Sequence, residues 1–251
     1  MNIKMLALDL DGTLLGDDKT ISKRTFRALR ECQKKGIKIV CATARGNIEN
    51  LVPEELLDGR VLKSGAVAYL GNNLIYNKIM PIDHVRPFLL AADHRGLLTA
   101  IQHNDGVHYA NFNVTEKWEF ITNYKIVDFS TITFDVDKIY VVTETPESVE
   151  FVKKHAPAEA HLFISRDNLA FLFHKDAVKS KATNTIADHW GVKMSEIAAF
   201  GDDMVDVELL QNCGFGVAMG NALDEVKKVA DYICDTNEND GVAKWIEEQL
   251  L

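Results

Sequence analysis

Residues 5–13 read Met-Leu-Ala-Leu-Asp-Leu-Asp-Gly-Thr, an apolar run that ends in two aspartates and a glycine turn. The run predicts a short buried strand, and in extended backbone the side chains of Asp9 and Asp11 point to the same face, roughly 6 to 7 Å apart. Two carboxylates this close repel each other unless a cation neutralises them, and hard cations such as Mg²⁺ prefer oxygen ligands. The stretch is therefore either a metal site or an aspartate-rich turn, since Asp and Gly are also ordinary turn residues.

The composition is that of a soluble globular protein. Of the 251 residues, 47% are hydrophobic and 26% are charged, which suits one large domain or two. The formal net charge of −9 argues against binding to nucleic acid or to an anionic membrane, since both need clustered Lys and Arg. No apolar stretch approaches the roughly 18 residues that span a bilayer. Because Asp9 interrupts the N-terminal apolar run, we expect no secretory signal and a cytoplasmic location. The sequence leaves the oligomeric state undetermined.

Strand-like and helix-like segments alternate at both ends of the chain, as a parallel sheet covered by helices requires. Residues 83–174 instead gather much of the aromatic content and have an α+β character. We predict an α/β fold in which residues 1–82 and 175–251 form a Rossmann-like, doubly wound parallel sheet core, interrupted by an inserted domain at 83–174. The predicted elements are strands at 5–8, 37–42, 60–62, 138–142, 197–200, 215–219 and 232–234, a hairpin at 66–76, and helices at 22–34, 85–94, 146–155, 180–190 and 205–212.

Further polar groups fall where strands of the predicted core end or where its helices begin. Thr43 follows the second strand and precedes a predicted helix start, which favours phosphate binding. Lys179 precedes the helix that begins near residue 180, and Asp202 and Asp206 follow the strand that ends at residue 200. Ligands of open α/β sheets bind at the carboxyl ends of the strands. We therefore expect these groups to meet the two opening aspartates at one edge of the sheet.

The order of these groups resembles the four motifs of the haloacid-dehalogenase-like phosphatase superfamily. The motifs are Asp-x-Asp-Gly-Thr at 9–13, Thr43, Lys179, and Gly-Asp-x-x-x-Asp at 201–206. A second likeness is to the C-terminal signature of the Cof-type sugar phosphatases, at residues 216–222, 230–232 and 237–243. This subclass, IIB, carries an α/β cap domain between its second and third motifs, which is the position of residues 83–174.

The resemblance implies a Mg²⁺-dependent phosphatase that hydrolyses a small phosphorylated metabolite, such as a sugar phosphate, through an aspartyl-phosphate. It implies that Asp9 is the nucleophile and that Asp11 is the acid and base, which protonates the leaving oxygen and then deprotonates the attacking water. The implied Mg²⁺ ligands are the side chains of Asp9 and Asp202 and the backbone carbonyl of Asp11, with Asp206 in direct contact or in support. The implied phosphate ligands are Thr43, the catalytic Lys179, and the amides of Leu10 and Ala44.

Three positions depart from the family pattern, which usually has Gly where this chain has Ala44 and Asn where it has Ser64 and Val205. Ala44 keeps its amide donor provided that the backbone there does not need a positive φ. Val205 lacks a side-chain donor that the family directs at the phosphate. We expect weaker phosphate binding or altered selectivity, with the reaction type intact.

Two basic residues beside the motifs need separate assignment. Lys181 competes with Lys179 for the role of the third motif, but the family register of Lys, a small residue, any residue and Ala fits only from Lys179. Arg45 either reaches the substrate or caps a solvated helix, and we favour the helix cap.

Two other functions use the same residues. A phosphomutase of the same superfamily forms the same aspartyl-phosphate but shields it from water, and a non-catalytic module recognises a phosphorylated ligand without turnover. In the implied phosphatase the inserted domain is expected to close over the site and select the substrate. The candidate loop residues for that selection are His108, Asn111, Arg166 and Asn168.

Overall fold

A computed structural model of the chain describes residues 2–103, 106–118, 121, 123–165 and 167–251. Arg166, one of the candidate selecting residues, lies outside this set. The chain divides into two compact units, the first made of Met1–Asn77 and Asp176–Leu251 and the second of Lys78–Lys175. The sequence placed these divisions after residues 82 and 174.

The first unit opens on the strand that residues 5–13 predict. Its four residues are all buried, as expected of a central parallel strand covered on both faces. The helix that follows begins after Ser22, whose side chain accepts a hydrogen bond from the amide of Thr25 and so caps the first turn. In chain order the elements up to residue 77 are β1 (Met5–Leu8), α1 (Lys23–Lys34), β2 (Lys38–Ala42), β3 (Gly59–Leu62), β4 (Val67–Leu70) and β5 (Asn73–Asn77).

The chain then forms the second unit and returns to the first. The elements of the second unit are α2 (Ile82–His94), β6 (Thr99–Gln102), β7 (His108–Ala110), β8 (Tyr124–Ile126), β9 (Lys138–Val142), α3 (Pro146–His155), β10 (Ala160–Ile164) and β11 (Leu169–His174). The returning elements are α4 (Lys179–His189), β12 (Ile197–Gly201), α5 (Val207–Asn212), β13 (Phe215–Ala218), α6 (Asp224–Lys227), β14 (Tyr232–Ile233) and α7 (Gly241–Gln249). Across the described residues, we find no helix with the length and apolar character needed to span a bilayer.

The sheet of the first unit has the strand order β14-β13-β12-β1-β2-β3-β4-β5 among the described residues. β1 is parallel to both of its neighbours, and Leu8 pairs with Phe200 on one side and with Cys41 on the other. β4 and β5 form the predicted antiparallel hairpin at the edge of the sheet. The carboxyl ends of β1, β2 and β12 consequently meet at one edge, which is where open α/β sheets bind ligands.

Helices cover both faces of this sheet, because alternate residues of each strand point to opposite sides. On one face, Met5 and Ala7 of β1 belong to the same buried cluster as Ile186 of α4. On the other, Phe200 of β12 packs edge-on against Trp245 of α7, with ring centroids 5.1 Å apart. The predicted α/β fold with a doubly wound parallel core is therefore confirmed.

The second unit has its own sheet and its own apolar core, and its α+β character agrees with the prediction. The strand order is β10-β11-β9-β6-β7-β8. Ile139 and Val141 of β9 lie in one buried cluster with Phe88 of α2 and Phe151 of α3, so both helices cover the same face of the sheet. The assignment of this unit as a substrate-selecting cap stays a prediction.

The candidate selecting residues of this unit are not all loop residues. His108 begins strand β7, so its assignment to a loop was wrong. Asn111 is engaged in the structure of its own unit, since its Nδ2 donates to Asp93 Oδ1 at 2.7 Å and its Oδ1 accepts from the amide of Thr99 at 2.9 Å. The carbonyl of Asn168 accepts from the amide of Thr143 at 2.7 Å.

The helix predicted after Thr43 is not formed, and this expectation was wrong. Residues 43–53 contain neither helix nor strand, and the next regular element is a short 3₁₀ helix at Glu54–Leu56. The local sequence explains the difference, because the side chain of Asn47 accepts from the amide of Glu49 at 2.7 Å and competes with helical hydrogen bonding. An anion bound beside Thr43 would therefore meet the amides of a loop in this segment instead of a helix N-terminus.

The loop between β3 and β4 packs tightly against the start of α4. Gly65 has a φ of 97°, and a Cβ added to it would lie 2.1 Å from the carbonyl carbon of Val178. Only glycine tolerates both the backbone conformation and this approach. The contact fixes the backbone immediately before Lys179.

Replacement of Gly65 by Ala is expected to lower the free energy of unfolding by about 3 kcal/mol or more, because left-handed strain of about 1 to 3 kcal/mol adds to the overlap with Val178. Urea unfolding followed by circular dichroism measures the loss. Gly36→Ala is the matched control, since Gly36 has a φ of 81° but no atom within 4 Å of an added Cβ. Equal losses in the two variants would contradict a role for the contact with Val178.

Candidate active site

Three carboxylates converge at the carboxyl edge of the core sheet. Asp9 follows β1, and Asp202 and Asp206 follow β12. One oxygen from each of the three lies within 4.8 Å of the others. Asp9 is 7% exposed and Asp206 is fully buried. The parallel pairing of β1 with β12 brings together aspartates that are almost 200 residues apart in the sequence.

Lys179 is the cation of this cluster. As the first residue of α4, it extends its Nζ to 2.6 Å from Asp9 Oδ1 and to 2.6 Å from Asp206 Oδ1. The residue is 2% exposed. Lys181 instead pairs at the surface with Asp176, at 2.5 Å. Of the two lysines, the structure brings only Lys179 to the carboxylates, in agreement with the register of the third motif.

The electrostatics of the cluster are unbalanced, because one ammonium serves several carboxylates. Burial raises the pKa of Asp9 to about 7 although Lys179 opposes the shift, and the charge of Asp206 adds to it. Burial raises the pKa of Asp202 to about 6 against the hydrogen bond from Thr13. Burial alone lowers the pKa of Lys179, but Asp206 and Asp9 outweigh burial and keep that pKa above its ordinary value. The lysine is therefore charged, and excess negative charge remains on the aspartates.

This donor set fits a divalent cation of the Mg²⁺ type. Hard cations bind carboxylate oxygen, and a further positive charge would relieve the repulsion that raises the pKa values of Asp9 and Asp202. Both oxygens of Asp206 are already engaged, since Oδ1 accepts from Lys179 and Oδ2 accepts from the amides of Asp202 and Asp203 at 3.1 and 3.2 Å. Asp206 thus holds the lysine and the loop after β12.

Asp11 lies apart from this cluster and is held by two cations. Its carboxylate accepts from Arg45 Nε at 2.6 Å and from Arg45 Nη2 at 2.7 Å, and from Lys19 Nζ at 2.8 Å. The hydrogen bonds from Arg45 hold the pKa of Asp11 well below its ordinary value, and Lys19 contributes in the same direction. The expected helix-cap role of Arg45 was wrong, because no helix forms there and its guanidinium binds Asp11.

The turn at Gly12 and Thr13, which follows Asp11, packs closely against Asp202 after β12. Gly12 has a φ of 73°, and a Cβ added to it would lie 2.3 Å from Asp202 Oδ2. The Thr13 hydroxyl donates to Asp202 Oδ1 at 3.0 Å. The Gly-Thr pair therefore admits and orients the carboxylate of Asp202, a role beyond that of an ordinary turn.

The loop after β2 brings Thr43 and Ala44 to the same edge. Thr43 is 1% exposed, and its carbonyl accepts from the amide of Ser64 at 3.0 Å. Ala44 is not among the residues with positive φ, so the usual glycine is unnecessary for its amide. Ser64 has a φ of 55°, a conformation that Asn adopts more readily than Ser, which gives a physical reason for the Asn usual in the family.

A cavity of about 310 Å³ opens beside these groups. Val205, 46% exposed, supplies apolar surface where the family usually has an amide. A larger groove of about 800 Å³ lies between the segments near residues 19–26 and 48–60, but it contains none of the clustered aspartates. The smaller cavity is therefore the candidate active site. It is lined by Asp9, Asp11, Gly12, Thr43, Ala44, Asp202, Asp203 and Val205.

Sequence reasoning missed the side chains that hold Asp11 and its loop. Lys19 pairs with Asp11, and nothing in the sequence around Lys19 indicates this contact. The residue has a positive φ of 64°. The amide of Asn221 donates to the carbonyl of Gly12 at 2.7 Å. The C-terminal signature was the available signal for Asn221, but a likeness in sequence does not reveal which backbone group the side chain contacts.

Comparisons with known proteins identify the family and agree with this fold. The profile of the haloacid dehalogenase-like hydrolase family matches residues 6–246. A 5-amino-6-(5-phospho-D-ribitylamino)uracil phosphatase of Bacillus subtilis is 31% identical over 258 residues, which cover 100% of this chain and 97% of the relative.

Solved structures of phosphatases superpose over nearly the whole chain. A superfamily phosphatase from Bacteroides thetaiotaomicron is 28% identical with a TM-score of 0.81, covering 98% of this chain and 94% of its own. A sugar phosphatase of subclass IIB is 26% identical with a TM-score of 0.76, covering 98% of both chains. These likenesses confirm the resemblance drawn from the four motifs. The chain belongs to the haloacid dehalogenase-like hydrolases, and it is an enzyme that hydrolyses phosphoric monoesters.

Proposed function

We propose that this enzyme is a Mg²⁺-dependent phosphatase that hydrolyses a small phosphorylated metabolite through a phosphorylated Asp9. The observation that carries the proposal is the buried Lys179, which contacts both Asp9 and Asp206 beside a cavity that Asp202 and Asp11 also line. Phosphoryl transfer needs a nucleophile, a fixed cation and a separate proton-transfer group at one cavity. Asp9, Lys179 and Asp11 are proposed to fill these three roles.

In the first step, Asp9 attacks phosphorus and the bond from phosphorus to the leaving oxygen breaks. Lys179 holds Asp9 Oδ1, which leaves the second oxygen to form the new bond. Asp11 gives a proton to the leaving oxygen. The hydroxyl of Thr43 and the amides of Leu10 and Ala44 are proposed to bind the phosphoryl oxygens.

In the second step, water hydrolyses the phosphorylated aspartate. Asp11, now ionised, takes a proton from that water as it attacks phosphorus, and the bond to Asp9 breaks to release inorganic phosphate. While Arg45 and Lys19 hold it, Asp11 has a pKa well below its ordinary value and is a weak base. We infer that Arg45 leaves the carboxylate when substrate binds, because Asp11 can carry a proton at neutral pH only without that partner.

Mg²⁺ is proposed to be held by the side chains of Asp9 and Asp202 and by the backbone carbonyl of Asp11. Asp206 is proposed to support the metal site without binding the ion, since its two oxygens accept hydrogen bonds from Lys179 and from backbone amides. When bound, the ion supplies positive charge that offsets the carboxylates and the phosphoryl oxygens.

Two observations support a substrate class, namely the cavity volume of about 310 Å³ and the name of a relative. The groups at the cavity are proposed to contact mainly the phosphate of a substrate, and a relative that matches the whole chain is named for a phosphorylated ribitylamino-uracil. Both support a phosphorylated sugar, sugar alcohol or similar small metabolite as the substrate.

The direct test is a screen of sugar and sugar-alcohol phosphates for phosphate release, with Mg²⁺ and with EDTA. We expect turnover only with the metal, and a loss of at least about 1000-fold in Asp9→Asn, because an amide does not replace the attacking carboxylate. Asp188→Asn, at an exposed position of α4, is the matched control and should keep wild-type activity. Metal-independent turnover, or an active Asp9→Asn enzyme, would exclude this mechanism.

Asp11→Asn is expected to separate the two steps. With p-nitrophenyl phosphate, whose leaving group needs no proton, the variant should release a burst of about one p-nitrophenol per enzyme and then turn over at least about 100-fold more slowly than wild type. Rapid-mixing absorbance measures the burst, and Asp9→Asn should show none. A slow rate without a burst would place Asp11 in some role other than the hydrolytic step.

The metal site also predicts a dependence of stability on pH. The pKa values of Asp9 and Asp202 are raised in the folded state to about 7 and about 6, above the ordinary value of 3.8. Their ionisation therefore disfavours the fold, and the metal-free protein should lose stability as the pH rises from 4 to 7.

Asp202→Asn removes part of this cost. In EDTA at pH 8 its melting temperature should exceed that of wild type by about 2 to 4 °C, the shift that about 1 kcal/mol produces in a chain of this size. The difference should close near pH 4. Mg²⁺ should raise the melting temperature of wild type and of Asp188→Asn but not that of Asp202→Asn, and equal Mg²⁺ responses in all three would argue against the site.

A further inference from the structure

The C-terminal signature contains polar side chains that take no part in the proposed chemistry. Asn221 follows β13, and Asn237 and Glu238 precede α7. All three reach the loop of residues 12–19, which follows Asp11 and carries Lys19 to its carboxylate. We call this segment the acid-base loop.

Asn221 makes the contact nearest to the chemistry. Its Nδ2 donates to the carbonyl of Gly12 at 2.7 Å, and its Oδ1 accepts from the amide of Asn237 at 3.1 Å. Both functional groups of the side chain are thus used, one on the residue after Asp11 and the other on the second signature segment. A residue of another shape cannot make both contacts.

The second segment holds the loop farther along. Asn237 Nδ2 donates to the carbonyl of Leu15 at 3.0 Å, and Glu238 Oε1 accepts from the amide of Asp17 at 2.7 Å. Three backbone groups of the acid-base loop, on residues 12, 15 and 17, are therefore bound by side chains more than 200 positions away in the sequence.

The two signature segments form a fixed support for these contacts. The amide of Gly220 donates to the carbonyl of Asp235 at 3.2 Å, and the amide of Leu223 donates to the carbonyl of Asp202 at 3.0 Å. The support is thus bonded to the residue after β12 that is proposed to bind the metal. The loop itself has a glycine of positive φ at residue 12, a backbone conformation that other residues rarely adopt.

We propose that Asn221 and Asn237 are positioning residues for Asp11, which hold the acid-base loop so that the carboxyl group of Asp11 reaches the leaving oxygen and the attacking water. This inference rests on the proposed function. The two amides act through Asp11 and do not touch the phosphate. The proposal gives two residues of the C-terminal signature a role in the proton-transfer steps.

The test compares Asn221→Ala, Asn221→Asp and Asn237→Ala with Asn239→Ala. Asn239 is the matched control, because its side chain donates to Asp235 Oδ1 at 3.2 Å and, among the described residues, makes no hydrogen bond to the acid-base loop. We expect kcat for a sugar phosphate to fall roughly 10- to 100-fold in the first three variants, the range that a misplaced catalytic group produces, with KM changed less than about 3-fold. Asn221→Asp should be no better than Asn221→Ala, since an ionised carboxylate cannot donate to the carbonyl of Gly12.

The burst with p-nitrophenyl phosphate distinguishes positioning from general support. The Asn221 and Asn237 variants should keep a burst of about one product per enzyme, followed by slow turnover, as expected for a defect in the step that needs Asp11. Added to Asp11→Asn, Asn221→Ala should reduce turnover by less than about 2-fold, because a positioning residue has no effect once its catalytic group is gone. A smaller burst would overturn the inference. So would an equal fold-loss of turnover when Asn221→Ala is added to wild type and to Asp11→Asn.

The outcomes for the inference and for the proposed function are separate. If wild type turns over and Asn221→Ala behaves like Asn239→Ala, only the inference fails. If wild type releases no phosphate from any substrate with Mg²⁺, the proposed function fails and the inference with it.

Discussion

The close approach of the carboxylates at the candidate active site depends on one buried ammonium group. Lys179 lies 2.6 Å from an oxygen of Asp9 and 2.6 Å from an oxygen of Asp206, where water cannot screen the charges. Without it the carboxylates at the ends of β1 and β12 would repel each other across a few ångströms. The close contact of Gly65 with Val178 and the parallel pairing of β1 with β12 both serve to deliver this cation to its place.

The regular elements were predictable because local patterns and global packing agree. β1 at Met5–Leu8, β9 at Lys138–Val142 and α3 at Pro146–His155 have the predicted bounds, since an apolar run, an alternating pattern and a Thr cap with Pro in the first turn are local signals. The segment after Thr43 misled the prediction. There an Asx turn at Asn47 and a positive φ at Asn50 prevail over the helical register.

Some residues of the candidate site were likewise predictable from the sequence, and others were not. The motif spacing identified Asp9, Lys179 and Asp202 because each lies at a strand end or a helix start, and the parallel topology brings such ends together. The partners of Asp11 could not be read from the chain. Arg45 is 34 residues away from Asp11 and Asn221 is 209 residues away from Gly12, and pairing over such separations follows from the folded backbone alone.

The central place of β1 bears on how the protein is made. β1, which leads into the proposed nucleophile Asp9, is synthesised about 190 residues before its neighbour β12, and the amide of Asp9 donates to the carbonyl of Phe200 in that strand. Domains tend to fold as units during synthesis, and parallel pairing over long separations is slow. The candidate active site is therefore completed only after β12 has been synthesised, so a nascent or truncated chain that ends before β12 has Asp9 but neither Asp202 nor Asp206 beside it.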